Sequence, residues 1–146
     1  MKKQHLLCAC FCLLPAPALA QRPASASGCE ELANLRIAGV ALTVTKAQWI
    51  EAGDAPAAPG LPSGTMLPAY CRLDGAIDRR TGASGVTYGI GFALAMPENW
   101  NGRFLFQGGG GLNGSVQAPL GASAAGSQPG LARGFAVVST DTGHQG

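Results

Sequence analysis

Reactive side chains are sparse in this sequence, and its most suggestive stretch acts through backbone. Residues 103–115 read Arg-Phe-Leu-Phe-Gln-Gly-Gly-Gly-Gly-Leu-Asn-Gly-Ser, a short apolar run that drives into four consecutive glycines, Gly108–Gly111. The apolar run suits a buried strand. The glycines leave backbone free to adopt positive φ and to approach a ligand closely. Three chemistries use backbone N–H groups in this way. Phosphate cradling by a P-loop fails, because no G-x-x-x-x-G-K-[ST] occurs. Dinucleotide binding is met in form by Gly109-Gly110-Gly111-Leu112-Asn113-Gly114, with Asp141 as a ribose-binding acid. That acid lies about 30 residues on rather than about 20, and Ser115–Pro119 does not open a helix convincingly. The third chemistry is an oxyanion hole. A glycine-rich loop after an early sheet strand aims N–H groups at the charge that develops when an ester carbonyl is attacked. The bland alternative is a tight turn whose glycines only permit close packing.

The remaining chemical candidates are few. Gly121-Ala122-Ser123-Ala124-Ala125 approaches a nucleophile elbow but lacks the final glycine and a strand directly before it, so Ser123 is not nominated. His144, with Asp141 three residues earlier, would need a serine upstream of both in the hydrolase order. The pair is read instead as structural or pocket-edge. Trp100 reads as packing its turn rather than holding an aromatic acid, and Asn113-Gly114-Ser115 is a glycosylation sequon relevant only in a eukaryotic secretory host.

Met1-Lys2-Lys3, apolar Leu6–Leu14 and Ala18-Leu19-Ala20 have the form of a secretory signal peptide cleaved after Ala20. The apolar segment is too short to span a membrane. Leu7-Cys8-Ala9-Cys10 is a weak lipoprotein-like box with too little apolar sequence before it. Without the leader, eight basic side chains face eight acidic ones. No basic run points to nucleic acid or a membrane surface. Cys29 and Cys71 then remain as an even pair in an oxidising compartment, which favours a disulfide over two free thiols. Two thiols and one histidine disfavour zinc, so no metal site is expected in this chain.

These groups need a scaffold. Residues 21–28 read as a loose mature terminus and Cys29–Leu35 as a helical turn. Strands are expected at Ile37–Lys46, Ala69–Ile77, Val86–Met96 and Phe104–Gln107, with a proline-rich surface loop at Gly53–Pro68 and a polar turn at Asp78–Gly85. Asn101-Gly102 signals a hairpin between the last two of these strands. Leu112–Pro129 lacks clear periodicity, and part of it up to Arg133 is open to a helical reading capped by Gly134. Phe135–Thr140 is continuously apolar, as in a strand covered on both faces. Strand 104–107, connection and strand 135–140 then span one parallel crossover. A lone crossover does not complete a covered parallel sheet, so the expected fold class is α/β, seen as an N-terminal portion.

Taken in order, Trp100-Asn101-Gly102-Arg103-Phe104, the Gly108–Gly111 run with Gly114, and Gly134-Phe-Ala-Val-Val-Ser-Thr-Asp-Thr-Gly-His144 resemble the tannase/feruloyl esterase family, as does Tyr70-Cys71-Arg72 with the 88–97 segment. The resemblance covers roughly residues 29–146. It implies a secreted α/β-hydrolase with a lid domain, acting on small aromatic esters of hydroxybenzoic or hydroxycinnamic acids. It implies a Ser–Asp–His triad downstream of this chain and, in many members, calcium in the lid. Within this chain it makes Gly109 and Gly110 the oxyanion-hole candidates. Two alternatives stay open. One is a secreted β-rich ligand-binding module without catalysis, and the other is a dinucleotide-binding oxidoreductase.

Overall fold

The computed structural model describes residues 25–108, 114–124 and 126–143. A short helix, α1 (Ala26–Glu31), opens inside the stretch read as loose terminus. Ser25 is its N-cap, accepting the Gly28 N–H through its hydroxyl at 3.3 Å. A 3-10 turn, Leu32–Asn34, follows. Then come β1 (Leu42–Ile50), β2 (Gly53–Asp54), β3 (Met66–Leu67), β4 (Tyr70–Thr81), β5 (Thr87–Pro97), β6 (Phe104–Gln107), a 3-10 turn at Leu131–Arg133, and β7 (Ala136–Thr140).

Five strands form one sheet in the order β1-β4-β5-β7-β6, while β2 and β3 pair separately. All neighbours in the large sheet are antiparallel except β6 and β7, which run parallel from Phe104↔Ala136 to Gln107↔Ser139. The expected crossover is therefore present. The hairpin expected at Asn101-Gly102 is not: β5 pairs with β7, and β6 lies beyond it at the edge. Gly102 does take positive φ, 82°. Its turn docks elsewhere, however. The Asn101 N–H donates to the Gly134 carbonyl at 2.9 Å, and Asn101 Nδ2 donates to the Arg133 carbonyl at 2.9 Å.

Three other expectations shift. The first strand starts at Leu42 rather than Ile37, because Gly39 (φ 78°) turns the chain back and Ile37 and Val40 meet in an isolated bridge. The proline-rich loop is pinched by the β2–β3 pair, which sinks Leu67 into the core. The polar turn expected at Asp78 is a continuation of β4, with a register shift between Ile77 and Arg80 and Asp78 at φ 55°. The reversal comes later, where the Gly82 N–H meets the Val86 carbonyl.

The sheet buries both faces. On one, Cys71, Leu73 and Phe92 pack with Cys29 and Leu32 of the N-terminal helical segment, alongside Val44, Trp49 and Leu94. The Cys29–Cys71 disulfide crosses this layer, with Cα atoms 5.5 Å apart. On the other, Tyr70, Ala95 and Val137 meet Leu67, Leu120 and Leu131. The cover here comes from segment 114–131, which forms no helix among its described residues before Leu131. Gly and Ala supply too little apolar surface for an amphipathic stripe. The segment instead folds on itself, the Gly130 N–H donating to Gly121 and the Leu131 N–H to Leu120. Gly134 closes the final turn at φ 80°, as its composition predicts.

Candidate functional site

Because β6 and β7 are parallel, their carboxyl ends open at the same edge of the sheet. Ligands of open α/β sheets bind at such an edge. Gly108 leaves β6 there with open space around its Cα. Gly109 and Gly110 lie outside the described residues, as does His144. The geometry at hand is that of the frame on either side of the glycine run.

Gln107 ends β6 with its side chain on the same face as Leu105, beneath segment 117–121. Its Nε2 donates to the Ala118 carbonyl at 2.8 Å, and its Oε1 accepts the Gly121 N–H at 2.7 Å. In register beside it, buried Ser139 on β7 donates its hydroxyl to the Gln117 carbonyl. A groove of about 500 Å³ runs past these groups, lined among others by Leu105, Gln107, Gly108, Gln117, Gly121 and Ser123. Ser123 is exposed in a turn and has no strand before it.

At the end of β7, Asp141 is only 3% exposed. Its Oδ1 accepts the Gly91 N–H at 3.0 Å and the Gly143 N–H at 2.9 Å. The Asp141 carboxylate thus ties the Asp-Thr-Gly turn to β5. Thr142, at φ 57°, and Gly143, at φ 76°, complete that turn. Trp100 Nε1 donates to the Arg103 carbonyl at 2.7 Å, which holds the turn before β6.

Farther along the same sheet face, Arg72 grips Asp74 through Nε and a terminal nitrogen, at 3.0 and 2.9 Å. That hydrogen bond holds the guanidinium above its usual range, against the lowering effect of partial burial. Burial pushes the neighbouring Tyr70 phenol up, with the Arg72 charge opposing. Among the described residues no three His, Cys, Asp or Glu side chains gather as a metal site, and no helix is long and apolar enough to cross a membrane. The dinucleotide reading loses its anion site: a pyrophosphate needs a helix N-terminus after the glycines, and residues 114–120 form none.

Gln107 and Ser139 were missed from sequence. The available signal was a polar residue ending an apolar strand directly before a glycine run.

The profile of the family described as tannase and feruloyl esterase matches residues 74–146. A mono(2-hydroxyethyl) terephthalate hydrolase of Piscinibacter sakaiensis is 40% identical over 126 residues, covering 83% of this chain and 20% of that protein. Feruloyl esterase B from Aspergillus oryzae superposes with a TM-score of 0.57 at 29% identity, over 83% of this chain and 22% of its own. A second esterase from Aspergillus oryzae gives 0.56 at 27% identity, over 83% and 23%. The mixed sheet is therefore shared with these esterases, and the chain spans about one fifth of the length of the proteins it matches.

Proposed function

The chain belongs to the tannase and feruloyl esterase family, and on that premise we propose that it forms the part of a secreted serine carboxylesterase that carries the oxyanion loop. One observation supports this reading above the others. The glycine run leaves the carboxyl end of a strand that is joined by a crossover to the parallel strand beside it. This is the position from which an α/β-hydrolase draws one of its oxyanion donors. In the proposed reaction a serine attacks the ester carbonyl, a histidine takes its proton, and a backbone N–H of the glycine run, at Gly109 or Gly110, supplies one of the donors that hold the oxyanion. Nucleophile, base and acid lie in the polypeptide beyond this segment, and residues 1–20 act as its export signal. Calcium, where the enzyme holds it, belongs to a lid domain beyond this segment.

The substrates proposed are small esters of aromatic acids, the shared chemistry of the feruloyl and terephthalate esters in the relatives' names. The test is hydrolysis of methyl ferulate, methyl gallate and mono(2-hydroxyethyl) terephthalate by the complete gene product and by the 146-residue chain. Turnover by the first and none by the second is expected. A complete gene product inert toward all three, or a short chain that turns any of them over, overturns the proposal.

A further inference from the structure

We infer that Gln107 is a positioning residue for the oxyanion loop; the inference rests on the esterase reading above. The loop departs at Gly108 and returns at Gly114. Nothing in regular secondary structure holds the returning strand of chain, because residues 114–120 are neither helix nor sheet. Their attachment to the sheet is made by side chains. Gln107 supplies a donor and an acceptor at once, meeting the Ala118 carbonyl and the Gly121 N–H. Ser139 supplies a third point at Gln117.

Packing fixes the same segment from above. Gly121 takes φ 68°, and a Cβ there would lie 2.9 Å from both the Gly130 nitrogen and Leu105 Cδ2. A Cβ on Gly130 would lie 2.8 Å from the same methyl. The covering chain is thus seated on Leu105 and hydrogen-bonded to Gln107, two residues apart on one strand face. The last residue of β6 thereby ties the start of the loop, through Ala118 and Gly121, to the segment that follows its return at Gly114. An oxyanion donor acts only when its N–H is already aimed at the developing charge, and a displacement near 1 Å costs on the order of 100-fold. A side chain that clamps the base of the loop therefore acts on turnover more than on substrate binding.

The experiment uses the complete enzyme with Gln107→Leu and Gln107→Glu. Leucine removes both contacts. Glutamate keeps the acceptor toward Gly121 but sets oxygen against the Ala118 carbonyl until it is protonated, when it regains a donor. The expected result for Q107L is a kcat about 10- to 100-fold lower with KM within about threefold. Affinity for an aryl boronate, which mimics the tetrahedral oxyanion, falls in the same proportion. For Q107E, the ratio of its kcat to that of the wild type rises as pH falls toward the carboxyl range, ordinarily about 4.3 and raised by burial. Should Q107L fail to fold, the pH dependence of Q107E carries the test. Unchanged kcat and boronate affinity beside a lowered melting temperature reduce Gln107 to a structural amide and overturn the inference. A wild-type enzyme inert toward esters is seen before any variant is made, and it removes the reading on which the inference stands.

Discussion

Asp141 joins two strands through one oxygen, and its removal can be worked through quantitatively. Its carboxylate accepts N–H groups from Gly91 on β5 and Gly143 in the turn after β7. The group is almost wholly buried. Hydrogen bonds to charged groups contribute about 1.5–3 kcal/mol each. Asp141→Ala therefore destabilises by about 3–6 kcal/mol, while Asp141→Asn, which keeps a carbonyl oxygen in place, loses only part of that. Gly91 provides the independent check. A Cβ at this position would stand 2.7 Å from Asp141 Oδ2 and 3.1 Å from Val116 Cγ2. In the native background Gly91→Ala forces the carboxylate aside and costs about 1–3 kcal/mol as an overpacking substitution. In the Asp141→Ala background that obstruction is gone, so the same methyl costs less. The two substitutions couple by about 1–2 kcal/mol in a double-mutant cycle, read by urea denaturation of the polypeptide that carries the segment. An equal cost for Gly91→Ala in both backgrounds would refute the placement of the carboxylate against β5.

Other consequences are simpler to state. The Cys29–Cys71 disulfide closes a loop with sequence separation 42, so Cys29→Ser with Cys71→Ser lowers stability by about 4 kcal/mol in the chain-entropy account; an unchanged denaturation midpoint under oxidising conditions would contradict it. Tyr70 gives a pH dependence of known sign. Its phenol is pushed up by burial, so below about pH 10 it is protonated in both states and its contribution is intact. Above that value the unfolded chain ionises first, stability falls with rising pH, and Tyr70→Phe removes that part of the fall, as alkaline denaturation with phenolate absorbance at each pH will show. Gly121→Ala meets both a left-handed backbone and atoms at 2.9 Å. It costs about 2–5 kcal/mol, and a fully stable variant would mean that segment 114–131 does not seat on Leu105.

Much of the scaffold was readable because it is written in local terms. The 87–97 and 104–107 strands, the parallel crossover and the Gly134 cap each follow from a run or a turn residue within a few positions. The disulfide was expected from Cys29 and Cys71 read as an even pair in an oxidising compartment. What could not be read depends on partners distant in sequence. Gly91 looks like a weak point in a strand, yet its missing Cβ makes room for a carboxylate 50 residues on. Gln107 looks like the end of an apolar run, and its role appears only when Ala118 and Gly121 fold back over it. The helical reading of part of the stretch up to Arg133 holds, among the described residues, only in the 3-10 turn Leu131–Arg133, for a composition reason. Gly121 and Gly126 take positive φ, and the small residues around them bury little that a helix could present to the sheet.

The misread hairpin shows how such distant contacts decide topology. Asn101-Gly102 has the right residues for a two-residue turn, and two apolar strands flank it. A hairpin there would put β6 beside β5 and leave β7 at the edge. Strand β7 buries Ala136, Val137 and Ser139, whereas β6 leaves Phe104 and Phe106 59% and 56% exposed. The inner strand is the one paired on both sides and covered by the segment above it, as its unbroken apolar run expects. The turn is then used differently. Asn101 donates its main-chain and side-chain N–H groups to Gly134 and Arg133, and its Oδ1 accepts the Arg103 N–H at 2.9 Å. The Ala136 N–H meets the Arg103 carbonyl at 3.0 Å. One asparagine therefore holds the entry of β7 against the entry of β6 and starts the two strands in parallel register. That register brings the ends of both strands, Gln107 and Ser139, side by side beneath the segment that frames the glycine run.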